Sequence, residues 1–198
     1  MEYRKLRQFF FSILFLLAYV PQIHATRVRL VNLEEMVRYA DRIFWGVCIR
    51  TKVLEQEKMG LTVMEYTFKV REGFKGVMTG ERITFRQILY LGSARIPLAG
   101  IPIYKNGSDL LLFLHGDSSI GLTSPVGMGQ GLFRIMTLGD GRLGVVNVLE
   151  NANLFYNTDT GEAIRSLQRL SVVGEKAIAM DDLASMISDI RRNQRVNR

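Results

Sequence analysis

Side chains that commonly carry catalysis or bind metals are scarce in this chain. Its 198 residues include two histidines, His24 and His115, and one cysteine, Cys48. A zinc site usually needs several His or Cys ligands, so the sequence predicts no metal site. A Ser-His-Asp triad would have to use His115 with Asp117 and Ser118 nearby, but neighbours along one loop do not provide triad geometry. We therefore expect no catalytic histidine, and we expect Cys48 to be a small core residue.

Carboxylates are the remaining candidates for acid–base chemistry. Glu65, Glu81, Asp109 and Glu150 lie far apart in the sequence. A hydrolase could use two of them as general acid and general base if the fold brought them together. Sequence spacing does not decide whether they meet. A carboxylate-based hydrolase is therefore one alternative, although we expect a protein that is not an enzyme.

Two short stretches resemble ligand-binding loops but lack essential residues. Asn157 and Asp159 are spaced like the start of a calcium loop, but Gly161 stands where a third oxygen ligand is needed. Residues 127–131, "GMGQG", lack the spacing of a dinucleotide loop and the Lys-Ser or Lys-Thr of a phosphate loop. The sequence therefore predicts no bound cation or nucleotide cofactor.

The elements that would position these side chains are predicted to be mainly strands. Residues 43–50 alternate, and the fully apolar set is expected to face the core: Ile43, Trp45, Val47 and Ile49. Residues 63–70 also alternate, with Met64, Tyr66, Phe68 and Val70 facing inward, which is typical of a half-buried antiparallel strand. Glycines at 73, 76 and 80 then predict a bend. The next strand is expected to turn Ile83, Phe85, Gln87 and Leu89 inward.

Later segments complete a mainly β pattern flanked by two helices. "LLLFLHG" predicts a buried central strand, and Asp140-Gly141 between apolar runs predicts a hairpin. Asn32 followed by Glu35 predicts a capped helix from about Leu33 to Ala40. Apolar spacing predicts a C-terminal amphipathic helix over about 181–192. The expected fold is a small OB-like antiparallel β-barrel with a short N-terminal helix and a C-terminal helix.

The first 25 residues have the pattern of a secretory signal. Basic residues precede a run of 12 mostly apolar residues, Phe9 to Val20, and Ala25 follows at a suitable cleavage position. The run is too short to span a bilayer stably. We predict cleavage after Ala25 and a secreted or periplasmic single domain, residues 26–198. An uncleaved membrane anchor is the alternative.

The charge of the predicted domain is concentrated at its end. Loss of three basic residues and one acidic residue with the first 25 lowers the net charge from +7 to +5. Four of the basic residues crowd the C-terminus: Arg191, Arg192, Arg195 and Arg198. These arginines are expected to complement the C-terminal helix and to contact anionic surfaces only weakly.

The order of several stretches resembles a known architecture. "LEEMVRYADRIFWGVC", "YTFKVREGFKG", "GERITFRQ", "GIPIYKNGSDLLLFL" and "GQGLFRI" follow one another between Leu33 and Ile135. This order resembles a group of exported bacterial domains of unestablished function and, more distantly, the netrin-like or tissue-inhibitor-of-metalloproteinase barrel. The resemblance implies an OB-like barrel that binds proteins. Tissue inhibitors act through an N-terminal cysteine, and a chain that starts at Thr26 and contains only Cys48 lacks it, so that inhibitory chemistry is not expected.

These observations together predict an exported, non-enzymatic domain that binds a protein or another component of the cell envelope. The predicted contact is an exposed apolar patch on the irregular stretch 92–109, formed by Ile96, Ile101 and Ile103.

An OB-like glycan or oligonucleotide binder is the other alternative. Such proteins use a basic sheet face with aromatic residues. The nearest candidates are Lys69, Arg71, Phe74, Lys75, Arg86 and Tyr90. Glu65, Glu72 and Glu81 dilute their charge, so no nucleic-acid partner is expected.

Overall fold

The structure is a computed structural model that describes residues 29–56, 60–91, 96–98, 100–158 and 176–196. The predicted signal segment, residues 1–25, lies outside these residues. Asp159 and Gly161 of the calcium-loop-like stretch and Arg198 of the C-terminal arginines also lie outside them.

Antiparallel strands are the main regular structure of the described chain, with one α-helix before them and one after them. In chain order the elements are α1 (Leu33–Tyr39), β1 (Arg42–Gln56), β2 (Leu61–Lys75), β3 (Arg82–Leu91), β4 (Ile96–Pro97), β5 (Asp109–Leu114), a 3-10 turn (Met128–Gly131), β6 (Leu132–Thr137), β7 (Leu143–Asn147), β8 (Ile178–Ala179) and α2 (Met180–Val196). Within these residues, no helix is both long and apolar enough to cross a membrane.

All strands belong to one antiparallel sheet with the order β4-β3-β2-β1-β5-β6-β7-β8. The mainly β class and the two flanking helices are confirmed. This order is linear, so in the part of the chain that the structure describes the sheet does not close on itself through strand pairing. A closed barrel is therefore not established by the strand order.

The first helix begins as its sequence predicts. The Asn32 side chain accepts a hydrogen bond from the Glu35 N–H at 2.9 Å, and the Glu35 carboxylate accepts one from the Asn32 N–H, which completes a capping box. The C-terminal helix also forms, and at Met180–Val196 it is longer than predicted. Both helices bury apolar side chains against the same face of the sheet.

Two apolar cores lie on opposite faces of the sheet. The helix core combines side chains of α1 and α2 with Ile43, Leu111, Phe113 and Phe133. The strand core combines side chains of β1, β2, β3, β5 and β6 with Tyr104, and includes Phe44, Phe68, Phe85 and Leu112. Because β5 contributes to both cores, its side chains are buried along nearly its whole length, as the continuous apolar run predicts.

The inward sets predicted for β2 and β3 are confirmed. Tyr66, Phe68 and Val70 are buried, and Met64 packs against the same strand core. Ile83, Phe85, Gln87 and Leu89 are all less than 9 % exposed. The predicted hairpin at Asp140-Gly141 joins β6 to β7.

The prediction for β1 is correct only near its start. Ile43 is fully buried, but Trp45 and Val47 are half-buried and Ile49 is 42 % exposed. Cys48 is fully buried in the strand core, as expected of a small core residue. A register shift between Cys48 and Arg50 places Arg50 opposite Thr67, on the outer face, instead of inward with Cys48.

A buried asparagine pair holds the chain after β7. The backbone N–H of Asn147 donates to the Asn151 side chain at 3.0 Å, and the Asn151 N–H donates to the Asn147 side chain at 2.9 Å. The Asn151 amide also donates to the carbonyl groups of Val145 and Lys176. This network joins β7 to the chain that enters β8.

Asn151→Ala is expected to lower the free energy of unfolding by about 3 kcal/mol, because it leaves buried polar groups without partners and places alanine at a left-handed φ. The φ of Asn151 is 60°. Asn153 is the matched control, since its φ is 61° but its side chain is exposed. Urea unfolding should give a loss about 2 kcal/mol smaller for Asn153→Ala. Equal losses would show that only backbone strain matters at Asn151.

Candidate functional site

The residues considered for catalysis are not assembled into a site. Asp117 pairs with Arg42, and the Ser118 hydroxyl accepts from the Leu122 N–H at 3.1 Å. No hydrogen bond joins the His115 ring to either residue in the part of the chain that the structure describes. No group of three or more His, Cys, Asp or Glu able to hold a metal occurs among the described residues.

The four candidate carboxylates have separate partners. Glu65 pairs with Arg86 at 2.8 Å, and Glu150 pairs with Lys176. The Glu81 carboxylate accepts from the Met78 N–H, and Asp109 accepts from the Trp45 indole. The described contacts therefore do not bring these carboxylates together as an acid–base pair.

The predicted apolar patch is only partly exposed. The backbone of Ile96 pairs with Leu91 at the β3–β4 edge, and its side chain lies outside the described residues. Ile101 is half-buried, whereas Ile103 is 56 % exposed. Tyr104 beside it is buried in the strand core. Of the three predicted contacts, Ile103 alone is shown to be largely exposed.

The outer face of β1, β2 and β3 carries a concentration of positive charge that the sequence did not clearly reveal. Cross-strand pairing arranges its residues in three rows: Val47–Lys69–Arg82, Arg50–Thr67–Thr84, and Lys52–Glu65–Arg86. We call the exposed cations of this surface the basic face: Arg50, Lys52, Lys69, Arg71, Arg82 and Arg86. Residues opposite one another lie about 5 Å apart between Cβ atoms, so these charges share one surface.

Among the described residues, carboxylates form ion pairs with two of these cations. Arg86 pairs with Glu65 at 2.8 Å, and Arg71 pairs with Asp109 at 3.3 Å. Arg50, Lys52, Lys69 and Arg82 have no ion-pair partner among the described residues. Lys69 and Arg82 are direct cross-strand partners, so two positive charges face each other. Like charges in this position destabilise a sheet.

An aromatic residue marks the border between the basic face and the helix core. The Trp45 N–H donates to the Asp109 carboxylate at 2.6 Å, and the Arg71 guanidinium lies 5.5 Å from the ring centroid. Glu72 is the cross-strand partner of Trp45. Because Arg71 already contacts both the ring and Asp109, this corner is less available to a ligand than the rows beyond it.

Sequence reasoning identified part of this face and missed the rest. Lys69, Arg71 and Arg86 belong to it, with Tyr90 half-buried further along β3. Phe74 does not, because it is buried in the helix core, and the Lys75 ammonium donates to the Val37 carbonyl at 2.8 Å. Arg50, Lys52 and Arg82 were missed because pairing register, including the shift after Cys48, is needed to place them beside Lys69.

The strand core contains a small polar group beneath this face. Gln87 is 1 % exposed and Tyr104 is 3 % exposed, and among the described residues neither the Gln87 amide nor the Tyr104 hydroxyl has a hydrogen bond of normal geometry. Burial raises the pKa of Tyr104 well above its usual range and that of Tyr66 to about 12. Burial also raises the pKa of the Cys48 thiol. These groups are therefore neutral, and the Tyr104 ring anchors the stretch 100–108 over the strand core.

The C-terminal arginines are engaged within the protein to different degrees. Arg191 donates to the Phe74 carbonyl, and Arg192 lies 3.7 Å from Asp189. Arg195 is exposed. This end of the chain therefore presents fewer free cations than the sequence suggests.

A groove of about 550 Å³ lies beside α1. Its lining includes Arg29 paired with Glu35 and Arg38 paired with Glu34. Because these charges neutralise one another, the groove favours neither an anionic nor a cationic ligand. The basic face is the stronger candidate site.

Comparison of the chain with protein-family models, with curated proteins and with solved structures finds no match.

Proposed function

We propose that this protein is an exported, non-enzymatic binding module and that its basic face binds an anionic polysaccharide of the cell envelope. The export part of the proposal comes from the signal pattern in residues 1–25. The binding part comes from the arrangement of exposed charge on β1, β2 and β3.

The observation that carries the proposal is the pairing of Lys69 with Arg82. A surface selected only for stability would place a carboxylate opposite one of these cations, since opposite charges stabilise a cross-strand pair. The third row shows that this sheet can do so, because Glu65 pairs with Arg86 there. An anionic partner would neutralise the repulsion that the free protein leaves uncompensated.

The surroundings of the face favour a polysaccharide over a nucleic acid. Single-stranded nucleic acids are held by aromatic side chains that stack on bases as well as by charge. On this face Trp45 is already contacted by Arg71, and Tyr90 is half-buried. The polar groups beside the cations are instead the hydroxyls of half-buried Thr67 and exposed Thr84, which suit hydrogen bonding to a glycan.

We propose more specifically that the antiparallel sheet of this module forms an OB-like barrel. The segment after β5 supports it: Leu114 forms an isolated bridge with Pro125, and the Thr123 N–H donates to the Arg86 carbonyl at 2.8 Å. This segment thus contacts both β5 and β3 and would close a ring with β1 and β2. The resemblance to netrin-like barrels is consistent with such closure and is part of the proposal.

Lys69→Glu tests the proposal because it should change stability and binding in opposite directions. It creates an opposite-charge pair with Arg82, so urea unfolding should show a gain of about 0.5 kcal/mol. Retention on dextran sulfate should weaken about tenfold, because a cation that contacts the polymer becomes an anion. Uncharged dextran is the control. A variant that is stabilised yet binds dextran sulfate as tightly as the wild type would exclude this face.

A protein partner that contacts Ile103 is the second candidate function. Its support is the exposure of Ile103 on a stretch held in place by buried Tyr104. At about 1 M salt the charge of the basic face is screened over roughly 3 Å. This candidate is favoured if an envelope protein still binds under those conditions and if Ile103→Asp abolishes that binding.

A further inference from the structure

We infer that the basic face contains a subsite for a tetrahedral oxyanion, a sulfate or phosphate ester carried by the polysaccharide, formed by Lys69, Arg82, Arg50 and the hydroxyls of Thr67 and Thr84. This inference rests on the proposed function and names the group on the partner that is recognised.

Three cations of the basic face lie close enough together to contact one ligand. Lys69 and Arg82 lie opposite each other in one row, and Arg50 lies at the β1 end of the adjacent row. Adjacent rows on one face are about 7 Å apart along a strand, within reach of long lysine and arginine side chains. All three side chains are exposed, and none has an ion-pair partner among the described residues. Three free cations therefore border one small area.

One hydroxyl group in the middle of this area can donate a hydrogen bond to a ligand. The Thr67 and Thr84 hydroxyl oxygens are 3.0 Å apart, so one donates to the other. Each hydroxyl carries one proton, so the accepting hydroxyl keeps its own proton for another acceptor. An oxyanion bound between the two rows can accept a hydrogen bond from that hydroxyl. The hydroxyl is then a third kind of donor, beside the ammonium and guanidinium groups.

The number of oxygens on the ligand distinguishes esters from carboxylates at this subsite. A carboxylate has two oxygens in one plane, and a single arginine fork can satisfy both of them. Sulfate and phosphate esters present three terminal oxygens arranged tetrahedrally. Three oxygens match an ammonium, a guanidinium and a hydroxyl that approach from different strands. The donor set therefore favours a sulfate or phosphate ester over a uronic acid carboxylate.

The test compares small anions on the purified protein. Methyl sulfate, inorganic phosphate and acetate are titrated at constant ionic strength while backbone amide NMR shifts are followed. Methyl sulfate and acetate carry the same charge, so they separate geometry from net charge. We expect methyl sulfate and phosphate to shift the amides of residues 67–69 and 82–84 and to bind at least about fivefold more tightly than acetate.

A charge-neutral variant provides the second measurement. Thr67→Val combined with Thr84→Val removes both hydroxyls and keeps every cation. It should weaken methyl sulfate binding about threefold and leave acetate binding unchanged, since one hydrogen bond at a solvent-exposed site is lost. Circular dichroism checks that the variant is folded.

The outcomes separate this inference from the proposed function. Equal shifts and affinities for methyl sulfate and acetate, or shifts confined to other amides, would overturn the oxyanion subsite. If the protein is then still retained on both dextran sulfate and carboxymethyl dextran, a polyanion-binding face stands without ester specificity. If neither polymer retains the protein, the proposed function, binding of an anionic polysaccharide, is contradicted as well.

Discussion

Gly76→Ala is expected to destabilise the protein by about 4 kcal/mol, the largest loss of stability that we predict for a single substitution. Gly76 has a φ of 68°, a left-handed conformation that costs alanine about 1 kcal/mol. A Cβ atom at Gly76 would also lie 2.2 Å from the carbonyl oxygen of Asp41. That oxygen belongs to the backbone just before β1, so relief requires a shift where β1 and β2 meet, which typically costs a few kcal/mol.

Gly80 provides the matched control for this prediction. Its φ is 83°, and a Cβ atom there would meet no atom within 4 Å. Gly80→Ala should therefore cost only the backbone strain of about 1 kcal/mol. Urea unfolding of both variants measures the difference. If the two substitutions destabilise the protein equally, the close approach of Asp41 contributes nothing to stability.

The bend at Gly76 shows what the sequence could and could not predict about the fold. Three glycines after an alternating strand predict a bend because their spacing breaks a period of two. The reason that position 76 excludes a side chain is the approach of Asp41, which follows from the pairing of Ile43 with Lys75. Local pattern thus predicts where a strand ends, whereas the steric constraint arises from strand pairing.

Local sequence pattern also fails to predict which cations lie together in the candidate site. Strict alternation along β1 groups Arg50 with Phe44 and Cys48, which face the strand core. The register shift after Cys48 reverses this and turns Arg50 outward. A shift of one residue exchanges the two faces of a strand, so a bulge that the sequence does not signal changes which cations share a surface.

Strand pairing also explains why the charge of the face was underestimated from sequence. Glu65, Glu72 and Glu81 lie near the basic residues along the chain and suggest neutralisation. In the structure Glu65 forms an ion pair with Arg86, and Glu72 lies opposite Trp45. The Glu81 carboxylate accepts a hydrogen bond from the Met78 N–H. These three carboxylates therefore form ion pairs with neither Lys69 nor Arg82.

Reversing three charges on the basic face is expected to abolish most polyanion binding. In R50E/K69E/R82E each substitution removes an attraction of about 1 kcal/mol and adds repulsion, so affinity for dextran sulfate should fall about 1,000-fold. The logarithmic salt dependence of the remaining binding should become shallower by about three units, since roughly one counterion is released per cation contact. Stability should change little, because a repulsive Lys69–Arg82 pair becomes a repulsive pair of glutamates.

A variant with the same net charge separates a specific face from general electrostatic attraction. K105E/R134E/R195E also reverses three exposed cations, and all three lie outside the basic face. If binding depends on the total charge of the protein, both triple variants lose affinity and salt dependence equally. If it depends on the face, the control keeps its affinity within about threefold, because its three substitutions leave every cation of the basic face in place. Equal loss in the two variants would contradict the proposed face, since only the position of the charges differs between them.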